Sequence, residues 1–586
     1  MLTKGLFRGY VSSWSKIRCS VQQKNIFERT PASEPSQTLN AAFYLTAVAQ
    51  QAPSRLAVAF PQGQGPNGEV AYGHRSFQDL DQESDRYAHG LTRLGIRRGC
   101  RVLLMVPPGI EFIAVAFALF KMGAILTLID PGMGKKNLLN CIAQVKPEAV
   151  VAVPLLHALR VLYRGCFKSV RWNVTLGRRW FWTGATLAQV REEPWRPFAT
   201  APVSADDPAA IFFTTGTTGA PKGVLYLHGM LDAQIRIIRD HFEIGDGDVG
   251  LPAFAPFVLF CVAMGTPSVL PHMDPTKPAF VDPRRIIGAI ERYGVTYSFG
   301  SPTFWSRVSQ YCVEKKISLP SLKKIMMAGA PVPPEVLERL QKVLAEDGEG
   351  HTPYGATEAL PVTCVTGSEI LKETDARVRA GAGICVGWPL SGVALRIIEI
   401  TDDAIPQWDD GRVLPPRRIG EIVVKGAIVT NEYYNRPEQT ALAKIKDGDT
   451  IWHRMGDVGY LDDEGRLWFC GRKGQRVVTE KGTLFTIPCE AIFNQHEAVS
   501  RTALVGVGPR PRQRPVVIVE PREGKMPANR QAEIKFTEEL LDLGRQNELT
   551  RDIKDILFHP SFPVDFRHNA KIIREQLAAW AKGKIG

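Results

Sequence analysis

Apolar and polar positions follow two rhythms in alternation along this chain. Residues 40–51 and 76–94 place apolar side chains at helical intervals, which predicts amphipathic helices. Residues 102–105, 124–128 and 150–153 are short apolar runs, which predicts buried strands. Further helices are expected over 136–144, 230–242 and 283–293, and further strands over 295–299 and 325–327. Strands alternating with helices predict an α/β fold with a largely parallel sheet. The runs 386–390 and 393–400 begin a β-rich segment that includes 420–426. The last stretch has strands at 503–507 and 516–520. Its helices open at Pro488-Cys489-Glu490 and run over 533–555 and 571–582, an α+β pattern. A chain of 586 residues exceeds a single core and predicts two or three domains.

The most apolar stretch, 102–129, is interrupted by Pro107, Pro108, Glu111 and Lys121. No clean run of about 20 apolar residues remains, so a buried strand and a buried helix are expected there rather than a membrane span. Composition, 44% hydrophobic and 23% charged, is that of an ordinary globular protein. A formal net charge of +12 suits nucleic acid, an anionic surface, or a solvated exterior around an anionic substrate. No Lys/Arg block with interleaved aromatics is read in the chain, which disfavours nucleic acid. The ten cysteines are scattered and never form Cys-x-x-Cys. That pattern argues against a zinc ribbon or redox pair and for a reducing compartment, the cytoplasm. Lys4, Arg8, Lys16, Arg18 and Lys24 precede the first acid, Glu28. Residues 1–38 therefore suit a disordered basic extension, a transit peptide or a lipid-surface helix.

The densest candidate chemistry is Thr214-Thr215-Gly216-Thr217-Thr218-Gly219-Ala220-Pro221-Lys222-Gly223. Apolar runs at 209–213 and 224–227 flank it, the pattern of two buried strands joined by a loop. Gly216 and Gly219 allow successive N–H groups to converge on one anion. The threonine hydroxyls add donors and Lys222 adds charge, a combination that suits a polyphosphate. It is not a Walker A loop, because Lys222 follows Pro and precedes Gly rather than opening a helix. At this loop the chain resembles the adenylate-forming superfamily of acyl-CoA synthetases, adenylation domains and luciferases. That resemblance implies a loop closing over the phosphates of ATP.

Later motifs extend the resemblance over nearly the whole chain after about residue 39. A buried strand runs into Ala328-Gly329-Ala330-Pro331, and His351-Thr352-Pro353-Tyr354-Gly355-Ala356-Thr357-Glu358 follows. Ligands of open α/β sheets bind beyond the carboxyl ends of strands. Gly329 and Gly355 would let backbone approach a flat base, and Tyr354 would stack on it. Glu358 is a hard carboxylate suited to Mg²⁺. Asp457 lies between glycines, as in an Asx turn, and Gly471-Arg472 follows. The resemblance implies that Asp457 takes the ribose hydroxyls and Arg472 ribose and phosphate. It also implies a C-terminal lid over 473–586 that rotates about Gly474 relative to 39–472. The family usually has Asp or Lys at the hinge. Lys571 would act as the lid lysine, with Ala570 in front of it where the family has Gly. Phe254, Phe257 and Phe260 sit in an apolar stretch where relatives often carry a histidine, and they are expected either in the core or along an acyl tunnel.

Asp130-Pro131-Gly132-Met133-Gly134, Tyr354 to Pro361 and Arg567 to Lys571 resemble one branch, the β-lactone synthetases of bacterial long-chain olefin biosynthesis. The resemblance implies that ATP and Mg²⁺ activate a 2-alkyl-3-hydroxy fatty acid as acyl-AMP, with release of pyrophosphate. Lys222, Glu358 and Lys571 would be catalytic. The 3-hydroxyl then closes a β-lactone and releases AMP. It implies a small-molecule carboxylic acid and other olefin-pathway enzymes as partners. The alternatives are a fatty acyl-CoA ligase and a non-catalytic nucleotide-binding protein.

Overall fold

The computed structural model describes residues 39–65, 69–214, 221–564 and 571–585. Expectations for residues 1–38, for Thr215, Gly216, Thr217, Thr218 and Gly219, and for Ala570 lie outside these residues. The early apolar runs form a seven-stranded sheet. Its order is Ala185–Thr186, Trp172–Thr175, Ala149–Ala152, Arg101–Met105, Ile125–Leu128, Pro208–Thr214 and Lys222–Leu227. All neighbours are parallel except the last two strands, which form an antiparallel hairpin with Thr214 opposite Lys222.

The apolar stretch 102–129 is a strand followed by the helix Ile110–Met122, buried along almost its whole length. Its lysine survives burial through ion pairing: Lys121 Nζ lies 2.7 Å from Asp81 Oδ1 and 2.5 Å from Asp85 Oδ1. Both acids come from the helix Phe77–Leu94. That helix starts on a capping box between Ser76 and Asp79 and stops at Gly95, whose φ of 108° is left-handed. No described helix is long and apolar enough to cross a membrane.

A fourteen-stranded sheet carries the rest of the N-terminal region. Its middle is parallel, through Ser268–Val269, Gly250–Pro252, Tyr297–Gly300, Lys324–Met327 and Glu349–Ala356. Pairing then turns antiparallel through Ala359–Thr366, Ile384–Pro389, Leu467–Arg472, Thr450–Leu461, Gly420–Lys425 and Ala394–Ile398. The β-rich segment is thus continuous with the α/β sheet. Ladder hydrogen bonds, rather than a flexible joint, fix the two regions against each other.

After the short 3₁₀ turn Lys473–Gln475, a three-stranded sheet of Val499–Val507, Arg514–Pro521 and Asp555–Phe558 forms. Leu504, Val517, Phe536 and Leu540 share a core on one face, and Ala503, Ile518, Leu577 and Ala581 share one on the other. Alternating inward residues on strands covered by helices on both faces produce this arrangement.

Candidate active site

Two carboxylates, one in a turn and one on a strand, each receive a tyrosine hydroxyl and form the centre of the site. Glu358 lies in the turn between Glu349–Ala356 and Ala359–Thr366. Tyr433 Oη donates to Glu358 Oε1 at 2.6 Å. Tyr354 Oη donates to Asp457 Oδ2 at 2.6 Å. Burial raises the pKa of both tyrosines, and the neighbouring carboxylate adds to the shift. Both remain protonated donors.

The register of the sheet joins these groups to two cations. Asp457 and Arg472 are cross-strand partners, and Arg472 Nη1 lies 2.8 Å from Asp457 Oδ1. That approach lacks hydrogen-bond geometry, so Oδ1 of this buried carboxylate keeps an unused acceptor. Burial pushes the Asp457 carboxyl up, opposed first by Arg472 and then by Tyr354. Lys222 opens the strand Lys222–Leu227, and its Nζ stands 4.6 Å from the centre of the Tyr433 ring. Burial lowers its pKa, and Glu358 opposes that shift. The hairpin is pinned here by Tyr434 N to Gly223 O at 2.8 Å and Tyr226 Oη to Thr357 O at 2.7 Å.

Sequence reasoning missed Tyr433 and a third cation, Lys444. Lys444 is 7% exposed and faces inward from the strand Lys444–Asp447. Its Nζ donates to Thr430 O, and to Thr430 Oγ1 at 3.1 Å. Thr430 in turn donates to Glu358 O from its N at 2.9 Å and from its Oγ1 at 3.1 Å. Burial pushes the Lys444 amine down to about 7. A lysine between Ala443 and Ile445 was the available signal, because it occupies an inward position of a strand.

Other expectations change in detail. Asp457 is not in a turn; it lies within the strand Thr450–Leu461. Tyr354, Gly355 and Ala356 belong to a strand, which leaves only Thr357 and Glu358 for the turn. A Cβ on Gly355 would meet Ala359 O at 2.7 Å, so packing against backbone by itself requires this glycine. Gly329 has φ +95°, a left-handed turn after Lys324–Met327, with Ala330 and Pro331 next in the loop. Phe257 is buried and stacks on Phe299 at 4.2 Å and on Phe260 at 5.6 Å, while Phe254 is exposed. Lys571 belongs to the C-terminal layer. It stands three residues ahead of the helix Arg574–Ile585, which begins later than expected, and beside Ile572, which bridges to Val564.

The donor set fits a magnesium ion held mainly by substrate. Glu358 is half-buried and takes its hydrogen bond at Oε1, leaving Oε2 without a donor among the described residues. The described residues contain no group of three His, Cys, Asp or Glu able to hold a metal ion. One carboxylate plus substrate phosphates is how Mg²⁺ is commonly bound. Around the two carboxylates stand Lys222, Lys444, Arg472 and Arg436, whose charge reaches Lys222. This excess of positive charge suits a polyphosphate.

The family model for AMP-binding enzymes matches residues 45–434. The chain is 45% identical over 549 residues to an olefin beta-lactone synthetase of Xanthomonas campestris pv. campestris, covering 92% of this chain and 97% of that one. It is 44% identical over 559 residues to an olefin beta-lactone synthetase of Stenotrophomonas maltophilia, covering 93% and 98%. Among solved structures, amide bond synthetase McbA from Marinactinospora thermotolerans superposes with a TM-score of 0.73 at 22% identity, covering 92% and 99%, a likeness of fold.

Proposed function

We propose, since the chain belongs to the AMP-binding enzyme family, that it activates a 3-hydroxy fatty acid with ATP and closes it to a β-lactone. Identity of 45% along 97% of an olefin beta-lactone synthetase carries this reading. In the first step an oxygen of the substrate carboxylate attacks the α-phosphorus in line, the bond to the bridging oxygen breaks, and pyrophosphate leaves. Lys222 and the threonine loop, with Thr214 at its start, hold the phosphates. Asp457 accepts from the ribose hydroxyls through its unused Oδ1, and Arg472 keeps that carboxylate charged. Tyr354, Gly355, Ala356 and Thr357, with Gly329, Ala330 and Pro331, border the base. Glu358 would hold Mg²⁺, which supplies charge neutralisation at the phosphates when bound. Lys571 offsets the charge growing on phosphorus once the lid, rotating about Gly474, brings it there. In the second step the 3-hydroxyl oxygen attacks the acyl carbon, AMP leaves, and the hydroxyl proton passes to the departing phosphate or to water. Tethering replaces a second substrate, so effective concentration drives closure.

Phe254, Phe257 and Phe260 border the acyl chain in this reading. Free thiols among the described cysteines suit the cytoplasm as the compartment, and the likeness to olefin beta-lactone synthetases supports other enzymes of an olefin pathway as partners. The test is incubation with ATP, Mg²⁺ and a 2-alkyl-3-hydroxy fatty acid, with and without CoA, followed by mass spectrometry. Expected are AMP, pyrophosphate and a product lighter than the acid by one water, at equal rate with or without CoA. A CoA-dependent acyl thioester with no lactone would overturn the reading.

A further inference from the structure

A second feature lies at the edge of the seven-stranded sheet, away from the hairpin. The helix Pro154–Leu162 follows the strand Ala149–Ala152, and the 176–184 loop links Trp172–Thr175 to Ala185–Thr186. Trp182 ties helix and loop together. Its ring lies 5.6 Å from that of His157, and its Nε1 donates to Thr175 Oγ1 at 3.0 Å. Trp180 and Phe181 pack against it at 5.5 and 5.2 Å.

Outward from this anchor, large apolar side chains face water. Leu155 is 74% exposed, Leu162 77%, Phe181 72% and Trp180 55%. Leu155 and Leu162 are two helical turns apart and share one face. The charge around them has a single sign. Between Glu148 and Glu192 the sequence has no Asp or Glu but seven Lys and Arg. Six of these, residues 160, 164, 168, 171, 178 and 179, form no ion pair among the described residues, whereas Arg191 pairs with Glu83 and Glu193. Arg178-Arg179-Trp180-Phe181-Trp182 is itself a short basic block with aromatics, which corrects the expectation that the chain has none.

We propose that this corner seats the protein on an anionic lipid bilayer. Exposed leucines with Trp and Phe enter the headgroup boundary, and the arginines meet lipid phosphates. A second copy of the corner would repel it. Residues 1–38 carry mostly positive charge and match it no better. A nucleic acid would satisfy the arginines but leave Leu155 and Leu162 in water. The inference does not depend on the lactone reaction.

The test is co-sedimentation of the full chain with vesicles of phosphatidylcholine alone and with about one third phosphatidylglycerol. Wild type should bind the anionic vesicles and release as salt rises. R178Q/R179Q should need about thirtyfold more lipid for half-binding. L155S/L162S, on a solvent-facing surface, should weaken binding without lowering the thermal midpoint. Pyrophosphate release with a water-soluble short-chain acid should be unchanged in both variants. Wild type left in the supernatant, equal binding to neutral vesicles, variants that bind as wild type does, or stronger retention on duplex DNA or an acidic protein column with the same variant dependence would each overturn the proposal.

Discussion

Replacing Lys444 with Met should make the protein more stable and less active. Burial brings the Lys444 amine from 10.5 to about 7. Between those values the unfolded chain binds one proton more than the folded one, so stability rises with pH across that window and is flat below it. At about 1.36 kcal/mol per tenfold, the charge costs roughly 4 kcal/mol of stability at pH 7. Met removes that cost, but it also removes the donations to Thr430 O and Oγ1. Leaving those acceptors unmet costs about 1–3 kcal/mol. A net gain of about 1–3 kcal/mol is expected at pH 7, shrinking by about 1.36 kcal/mol per pH unit above it, reaching zero between about pH 8 and pH 9 and reversing by pH 10. Lys222 and Lys473 shift in the same direction, and the wild-type-minus-variant difference cancels them. Denaturant unfolding of both proteins from pH 6 to 10 measures this difference. Pyrophosphate release should fall about tenfold or more, because one cation leaves the cluster and Thr430, which holds the Glu358 carbonyl, loses its own support. A variant that is less stable at pH 7 with a difference flat in pH would refute the burial argument. Unchanged pyrophosphate release would refute the functional one.

Asp457→Asn should raise the KM for ATP about tenfold or more, because an amide cannot accept at both positions. Initial rates of pyrophosphate release across ATP concentrations check it. Gly355→Ala should cost about 1–3 kcal/mol, because the new Cβ meets the backbone oxygen of Ala359 at 2.7 Å. Its unfolding midpoint checks that. Asp402→Ala should leave stability within about 1 kcal/mol yet change how the C-terminal domain is oriented, read as a distance between labels on the two domains.

Much of the fold was legible because single segments encode single elements. The helix Pro283–Tyr293 was read with its bounds intact, since Asp282 caps it, Pro283 opens it and Gly294 ends it with a left-handed φ. The hairpin around Lys222 was legible from two apolar runs and the loop between them. Asp457 opposite Arg472 is different in kind. That contact depends on strand register, and a shift of one residue would turn both side chains to the other face. Tyr433 is invisible for the same reason. Nothing local distinguishes a tyrosine that reaches Glu358 across 75 residues from any buried aromatic. Gly355 reads from the sequence as a glycine for a ligand, and its need in packing against Ala359 appears only in three dimensions. Glycines near Asp457 suggest a turn, but the strand Thr450–Leu461 runs through both of them.

The two sides of the proposed hinge are held with unequal strength, and that inequality locates the pivot. On the N-terminal side, Lys473 Nζ lies 3.0 Å from Glu421 Oε1, and Arg454 Nη2 lies 2.7 Å from Oε2 of the same fully buried carboxylate. Lys473 Nζ also donates to Thr401 O at 2.9 Å. Removing Lys473 from this network leaves a buried charge less compensated, a loss of up to about 3–5 kcal/mol. On the C-terminal side the tie nearest the turn is Asp402, with its side chain 57% exposed, 2.7 Å from Arg476 and 3.6 Å from Arg510. Exposed pairs of this kind contribute about 0–1 kcal/mol. Arg510 Nη2 donates to Gly474 O at 2.7 Å, so the same arginine holds both the acid and the turn. A rotation should therefore leave Lys473 in place and begin at Gly474, breaking the weaker set. Asp402→Ala should shift the balance between orientations by up to about fivefold, while Lys473→Met should lower stability without favouring either orientation. A domain distance unmoved by Asp402→Ala but moved by Lys473→Met would place the pivot ahead of Lys473 and refute the assignment.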